Sequence, residues 1–347
     1  MQHARCGADS DAESLGCDRE RLRLALVVPV FNDFPSLTRL CQEIDTLVPK
    51  WGVELSVIAV DDGSVSAAPL RFDPPLINIR QIELVRLRCN LGHQRAIAIG
   101  LVETVQRYDL DAVLVADSDG EDRPEEMGRL IAAHHSHRDR VIVARRAKRS
   151  EGLRFRIFYA VYKAMFHAFT GRRIAFGNLV LVPVSLLSHL VSMPEIWNHL
   201  AASILRSRLP ITSIDCVRGV RYAGTSRMNL VSLIIHGLSA VAVFSDVVFA
   251  RMLMGSAAIT CAAILTAVAA SLVRVATDMA IPGWATNVVG ISVILLAQAL
   301  LFSMGASLSM LRNRSSAVFL PSVHAQVFIA ERITAMEQAS RAQSHVA

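Results

Sequence analysis

Two uninterrupted apolar runs, "RMLMGSAAITCAAILTAVAASLV" at 251–273 and "NVVGISVILLAQALLFSMGASLSML" at 287–311, limit what this chain can become. A helix crosses the hydrocarbon core of a bilayer with about 20 residues, and both runs qualify. Two buried helices of a soluble core are the weaker alternative for runs this long and uniform. The link between them, "RVATDMAIPGWAT", carries one Arg and one Asp, with Trp284 suited to an interface. Arg251 opens the first run, and Arg312 and Arg314 follow the second. The positive-inside rule therefore puts both outer ends in the cytoplasm and the short link outside. A shorter apolar stretch at 229–244 is interrupted by His236. It reads as an interfacial helix, with a third span as the alternative.

The rest of the chain is too polar for a multi-span carrier. Hydrophobic residues make up 52% and charged residues 19%, with a mean hydropathy of +0.40, which fits a soluble part joined to a few membrane helices. The net charge of +6 suits nucleic acid, anionic lipid or a phosphorylated substrate. No nucleic-acid-binding motif is present, which leaves the membrane surface and phosphates. The six cysteines are scattered without a CxxC pair and read as reduced structural thiols. Residues 1–21 lack the apolar core of a signal peptide and are expected to be a disordered tail, so the first folded segment starts in the cytoplasm.

Between tail and membrane runs, buried strands alternate with helices. "LRLALVVPVF" (22–31), "VELSVIAVDDGS" (53–64), "INIRQIELVRL" (77–87) and "DAVLVAD" (111–117) have strand character. The stretch from 34 to 48 has helical spacing, with Leu37, Leu40, Ile44 and Leu47 on one face, and 92–108 is a second amphipathic helix. This alternation predicts a parallel α/β sheet. In such sheets ligands bind outside the carboxyl ends of the strands, where this chain places Asn32/Asp33, Asp61/Asp62 and Asp117/Asp119. Neither a GxGxxG nor a GxxxxGK[ST] motif comes after the first strand, so those nucleotide sites are not supported. Residues 117–126 gather six carboxylates in ten positions. That cluster is either a solvated acidic turn or the seat of a hard divalent cation, which takes carboxylate oxygens and shares its shell with phosphate. A fifth strand at 140–146 runs into a basic loop. The aromatic, basic helix after it (153–171) carries Phe155, Phe158, Tyr159, Tyr162 and Phe166, and suits either a core or a membrane interface.

Taken together and in order, "VVPVFND", "VDDGS", "NLGHQRAIAIGL" and "ADSDGEDRPEE" resemble the family-2 glycosyltransferases of the GT-A fold. More narrowly, the chain resembles the polyprenyl-phosphate sugar transferases, such as dolichol-phosphate mannose synthases and bacterial undecaprenyl-phosphate glucosyltransferases, over roughly residues 22–311. The resemblance implies a GT-A (Rossmann-like) α/β fold with a mixed, mainly parallel sheet, interfacial helices and a C-terminal transmembrane hairpin. It implies that Pro29, Asn32, Asp61 and Asp62 line the base and ribose pocket of a nucleotide-sugar, although an Asx-type turn cap is the plainer role for the aspartate pair. Asp117 and Asp119 would hold Mg²⁺ or Mn²⁺ against the donor diphosphate. Glu121 and Asp122 stand where the family often has Gln-Asp, and support the metal, orient a sugar hydroxyl or face water.

Arg145 and Arg156 fall where the family has arginines, the second of which meets the acceptor phosphate. Arg149 and Arg154 are rivals for that role, and a solvated surface arginine is the alternative for each. "RGVRYAGTSRMN" (218–229) is similar to the family's Arg-x-x-Gly-x-Ser-Lys segment, so Arg221, Ser226 and Arg227 would close over the diphosphate, with Arg227 replacing Lys at altered geometry. Asn178 departs from the family pattern. Glu195 and His199 read as surface or satisfied helix residues rather than catalysts.

The division implied is a tail (1–21), a cytoplasmic catalytic domain (22–228), an interfacial helix (229–246), two membrane helices (247–314) and a cytoplasmic C-terminal tail (315–347). The activity implied is metal-dependent, inverting sugar transfer from a UDP- or GDP-sugar to a polyprenyl phosphate at the cytoplasmic face of a bacterial-type inner membrane, without nucleic acid. Relatives with such hairpins often assemble through them, so a homo-oligomer is among the expectations. Three rivals differ in class. A membrane-tethered transferase would act on a sugar hydroxyl. A processive polysaccharide synthase usually shows Gln-x-x-Arg-Trp, yet none of the three tryptophans here follows Arg. A nucleotide-binding scaffold without turnover is opposed by the intact Asp117, Asp119 and Arg221–Arg227 set.

Overall fold

A computed structural model of the chain describes residues 21–65, 71–146, 153–223, 230–276, 283–315 and 318–335. The chain runs β1 (Leu22–Val30), α1 (Phe34–Trp51), β2 (Val53–Asp61), β3 (Ile79–Leu87), α2 (His93–Arg107), β4 (Ala112–Val115), α3 (Pro124–Ser136), β5 (Val141–Arg146) and α4 (Leu153–Thr170). It continues through β6 (Phe176–Pro183), α5 (Val184–Val191), α6 (Leu200–Ser207), β7 (Ile211–Cys216), α7 (Leu230–Ala242), α8 (Ser245–Ala276), α9 (Trp284–Ser315), α10 (Pro321–His324) and β8 (Ile329–Thr334). The strands form one sheet in the order β7-β5-β6-β4-β1-β2-β3-β8. β1 pairs in parallel with β2 and β4, and β2 with β3, while β6 and β8 run antiparallel to their neighbours. The mixed, mainly parallel sheet expected from the sequence is the one present.

Strands buried on both faces read as continuous apolar runs rather than alternating ones, which is why β1 and β2 are legible in the sequence. Leu24, Leu26 and Val28 of β1 pack with Leu37, Leu40 and Ile44 of α1 and Leu130 of α3 on one face. Ala25 and Val27 pack with Ile97 and Leu101 of α2 on the other. Gly100 lets α2 approach the sheet closely, since a Cβ there would meet Val27 Cγ1 at 2.5 Å. The buried carboxylate of Asp45 on α1 takes the N–H groups of Asn78 (2.7 Å) and Ile79 (2.8 Å), fixing where β3 begins.

The two long apolar helices form an antiparallel pair. Buried small residues recur every seventh position, Ser256, Ala263 and Ala270 on α8 and Ser292, Ala299 and Ala306 on α9. Small side chains allow close backbone approach where lipid supplies no hydrophobic drive between helices. Ser256 Oγ donates to the Ala299 carbonyl at 2.7 Å and lies 2.7 Å from Ser303 Oγ. The outer faces present Leu265, Leu272, Leu301 and Leu308 to the surroundings. At 32 residues each, the helices are about 48 Å long, more than a hydrocarbon core requires. They are exposed along their length, unlike the buried helices of a soluble core, and by length and composition are candidates to cross a membrane.

Both outer ends of this hairpin are tied to the sheet domain. Asp246 at the start of α8 pairs with Arg206 of α6 at 2.7 Å, and Arg206 also reaches Glu195 at 3.0 Å. Arg251 donates to the Ala168 carbonyl at 2.6 Å, capping the end of α4. Beyond α9, Phe319 packs at a tilt against Trp197 with ring centroids 4.5 Å apart. α7 buries Ala240 against Phe166 of α4 and Ala202 of α6. It leaves Val231, Ile234, Ile235 and Leu238 exposed as one stripe at the base of the hairpin.

The C-terminal segment corrects the sequence reading. Residues 329–334, assigned to a cytoplasmic tail, form β8 and pair antiparallel with β3, so the sheet domain is built from both sides of the hairpin. An open β3 edge would offer unpaired backbone groups, and β8 covers it. Arg332 of β8 holds the buried Glu103 of α2 at 2.6 Å. Of the tail expected at 1–21, residues 1–20 lie outside the described residues.

Candidate active site

Because β1, β2 and β4 are parallel, the residues after them share one rim. Pro29 is buried within β1 opposite Val60. Asn32 comes next in the left-handed region at φ 51°, which Asn tolerates better than most residues. Its backbone N–H donates to Ser64 Oγ at 2.8 Å, and its Oδ1 accepts from the Val65 N–H at 3.1 Å. Asp61 is wholly buried; its Oδ1 accepts from the Ser64 N–H at 2.9 Å and its Oδ2 faces Arg86 Nε at 3.2 Å. Asp62 takes the N–H groups of Leu91 (2.7 Å) and Gly92 (2.9 Å). Burial pushes the Asp62 carboxyl above its ordinary pKa, and those two N–H groups pull it back. Asp61 thus caps its own turn, whereas Asp62 holds the distant loop that opens α2, and Asn32 is the rim residue that stays exposed.

The acidic cluster is not a solvated turn. Asp122 is buried and accepts the Asp117 N–H at 3.0 Å, folding the loop back on itself. Asp119 Oδ1 accepts the Glu121 N–H at 3.0 Å. Burial, then the neighbouring carboxylates of Asp117 and Glu121, push Asp119 above the ordinary aspartate value, against the pull of that N–H and of Arg221. Glu121 goes the other way: burial would raise it, but hydrogen bonds from Arg218 and Arg221 hold it below the ordinary value. Crowded carboxylates of this kind are relieved by a cation, so Asp117 and Asp119 fit a divalent metal. Among the described residues no three His, Cys, Asp or Glu side chains form a metal cage. Two carboxylates suit an ion that completes its shell with phosphate oxygens and water.

A second loop is clamped onto the first. Tyr222 N–H donates to the Asp119 carbonyl and Gly219 N–H to the Glu121 carbonyl, both at 2.8 Å. Arg221 bridges Asp119 (3.0 Å) and Glu121 (3.0 Å), and Arg218 pairs with Glu121. The Tyr222 hydroxyl donates to Glu43 of α1 at 2.5 Å, and the Arg39 guanidinium sits 4.5 Å above its ring. The structure thus brings Asp117, Asp119 and Arg221 together. Arg145 is on the same side but exposed, its Nε and Nη2 turned onto Asp215 at 2.5 and 2.9 Å. Ser226, Arg227 and Arg149 lie outside the described residues, as do the side chains of Arg154 and Arg156.

Sequence reasoning missed the support behind Asp117. His93 Nε2 lies 3.2 Å from Asp117 Oδ1, and Asn178 Nδ2 lies 2.9 Å from the same His93 nitrogen and 3.4 Å from Asp117 Oδ1. Gln94 donates to Asn178 at 3.0 Å and accepts the Leu200 N–H at 2.7 Å. Partial desolvation lowers the His93 pKa, but Asp117, Asp119 and Asp62 outweigh it and the net shift is upward. The available signal was Gly92-His93-Gln94 opening a helix beside the rim. Glu195 and His199 are the satisfied structural residues expected: Glu195 holds Arg206, and His199 Nδ1 caps α6 by accepting the Ala202 N–H at 3.4 Å.

Residues 25–183 match the model of glycosyl transferase family 2. Over that segment the chain is similar to the family-2 glycosyltransferases. The matched segment runs from β1 to β6, and so contains Asn32, the aspartate pair, His93, Asp117, Asp119 and Asn178. The chain is similar to undecaprenyl-phosphate 4-deoxy-4-formamido-L-arabinose transferases. The protein of that name from Pectobacterium atrosepticum is 28% identical over 61% of this chain and 64% of its own length. That from Proteus mirabilis is 28% identical over 43% and 45% respectively. The alignments thus span less than two thirds of these relatives. Among solved structures, glucosyl-3-phosphoglycerate synthase from Mycobacterium tuberculosis, in complex with Mn²⁺, UDP-glucose and phosphoglyceric acid, is 17% identical. The match covers 66% of this chain and 80% of that one, with a TM-score of 0.48.

Proposed function

We propose that the chain is a metal-dependent, inverting transferase that moves a sugar from a UDP- or GDP-sugar to a polyprenyl phosphate at the cytoplasmic face of a bacterial inner membrane. One observation carries the reading. The acidic and arginine-lined rim belongs to a domain that holds both outer ends of an exposed apolar hairpin, so a lipid-borne acceptor and the site are held in one body. The likeness to undecaprenyl-phosphate sugar transferases supports the same acceptor class.

Asp117 and Asp119 would hold Mg²⁺ or Mn²⁺, which when bound neutralises charge on the donor diphosphate. Arg221 already faces both Asp119 and Glu121, and on donor binding offers the same guanidinium to the diphosphate, as Arg218 does beside it. Asn32 and the turn that Asp61 holds border the nucleoside. Asn178 and His93 keep the Asp117 carboxylate aimed at the rim. A lipid phosphate is already an anion at neutral pH, so its oxygen attacks the anomeric carbon without a general base. The bond from that carbon to the β-phosphate breaks, the nucleoside diphosphate leaves, and the configuration inverts. The contribution of the protein is to bring two anions together and stabilise the departing one.

The test is to incubate membranes carrying the protein with Mg²⁺ or Mn²⁺, a polyprenyl phosphate and a panel of labelled UDP- and GDP-sugars. Label should pass into the organic phase only with metal, and not with Asp119→Ala. Donor hydrolysis without lipid-soluble label would move the acceptor to a sugar hydroxyl and sink the lipid reading.

A further inference from the structure

Asp61, Arg86 and Glu331 stand side by side on three adjacent strands. Asp61 of β2 is in register with Arg86 of β3, and Arg86 with Glu331 of β8. Arg86 uses Nε for Asp61, at 3.2 Å, and Nη1 for Glu331. Asp61 is wholly buried, whereas Glu331 is half-exposed, with 48% of its side chain accessible. The chain of contacts does not stop at Asp61. Its second oxygen takes the Ser64 N–H, and Ser64 Oγ takes the N–H of Asn32 on the rim. Asn32, Ser64, Asp61, Arg86 and Glu331 form one unbroken polar path from the far edge of the sheet to the exposed rim.

A guanidinium bound at one edge only can rotate about its long side chain. Held at both edges, it presents a fixed donor to Asp61, because its fork is planar and rigid. The buried carboxylate then has one orientation left for the Ser64–Val65 turn. Glu331 comes after the membrane hairpin, 245 residues from Arg86 in sequence.

We propose that β8 is a functional part of the donor site, with Glu331 and Arg86 as positioning residues that set the Asn32–Ser64 wall through Asp61. The inference rests on the proposed function, in which this wall borders the nucleoside of the donor. It assigns the segment beyond the hairpin a role in donor affinity in addition to covering an edge.

The experiment uses the full chain in detergent micelles with Mn²⁺ and titrates UDP and GDP by calorimetry, with melting temperatures measured in parallel. Glu331→Ala and Ser64→Ala should each weaken the nucleotide that binds by about three- to fivefold, the size expected for loss of one partly exposed polar contact. The double variant should be little worse than the weaker single one, because both cut the same path. Ile333→Ala, which loosens β8 without touching the path, should lower the melting temperature and leave affinity unchanged. Asn32→Ala tests the underlying reading. If it weakens binding while Glu331→Ala does not, the inference fails and the donor reading stands. Equal weakening by Ile333→Ala and Glu331→Ala would also overturn the inference, since general loosening of β8 would then suffice. No effect of Asn32→Ala, or no nucleotide bound by the wild type, would overturn both.

Discussion

Arg221 Nη2 lies 3.0 Å from Asp119 Oδ2, and its Nε lies 3.0 Å from Glu121 Oε1. One guanidinium therefore joins the acidic loop after β4 to the basic loop after β7. It balances carboxylates that crowd one another, and in the proposed function it is already placed beside the donor diphosphate. Asp119→Asn should keep the fold and cut sugar transfer by about a hundredfold or more, as loss of a principal electrostatic stabiliser does. Arg221→Lys keeps the charge but loses the fork, and transfer should drop by about tenfold. Initial rates at saturating donor, with a melting curve for each variant, check both. Wild-type rates in Asp119→Asn would remove this residue from the chemistry.

The His93 side chain is 44% exposed yet its Nε2 lies 3.2 Å from Asp117 Oδ1. A residue at that place contributes little packing, so His93→Ala should leave the melting temperature within about 2 °C of wild type, as surface substitutions usually do. The Mn²⁺ concentration for half-maximal transfer should rise several-fold, because Asp117 loses a partner that orients it. A fall in stability with an unchanged metal requirement would make His93 a structural residue only.

Gly219 is a close contact between the two loops. A Cβ there would sit 2.3 Å from the Gly120 carbonyl oxygen and 2.8 Å from Arg123 Cγ. The first neighbour is backbone and cannot swing aside, so Gly219→Ala should lift the 217–223 loop off the acidic loop. Donor KM is expected to rise about tenfold or more, while the core, which this loop touches through Tyr222 but whose buried residues lie outside it, melts nearly as before. Tyr222→Phe removes only the hydrogen bond to Glu43, worth about 1 kcal/mol, and should show the same effect in weaker form. A Gly219→Ala enzyme with normal donor kinetics would mean that the clamp does not serve the donor.

Much of this site is legible in the amino-acid sequence. The rim shows because parallel strands buried on both faces read as apolar runs with polar residues directly after them, so Asn32, Asp61/Asp62 and Asp117/Asp119 can be placed together from spacing alone. The hairpin shows because length and apolarity suffice. β8 does not: "IAERIT" is six residues with two charges, and only its pairing with β3 makes it a strand. His93, Asn178 and Arg86 are also hidden as a group. They meet Asp117 and Asp61 through the sheet, across separations that carry no local pattern. Asp61 and Asp62 illustrate the reverse case. The sequence allows a turn cap or a ligand contact, and the backbone N–H groups of Ser64, Leu91 and Gly92 decide that they at least hold the turns.

His199 should make the domain sensitive to mild acid. Its Nδ1 caps α6, its ring packs at a tilt against His236 with centroids 4.5 Å apart, and His93 lies near. Burial first, then the charge of His236, lowers its pKa from 6.5 to about 3. Between those values the unfolded chain binds a proton at this position and the folded one does not. Stability is therefore complete above about pH 6.5 and is lost as the pH falls toward 3, by up to about 1.4 kcal/mol per unit. Melting temperatures from pH 7.5 to 5.0 should fall in the wild type. His199→Asn, which keeps a capping acceptor but cannot be protonated, should flatten that slope while matching or slightly lowering stability at pH 7.5. Parallel slopes in the two proteins would show that other groups govern the acid response.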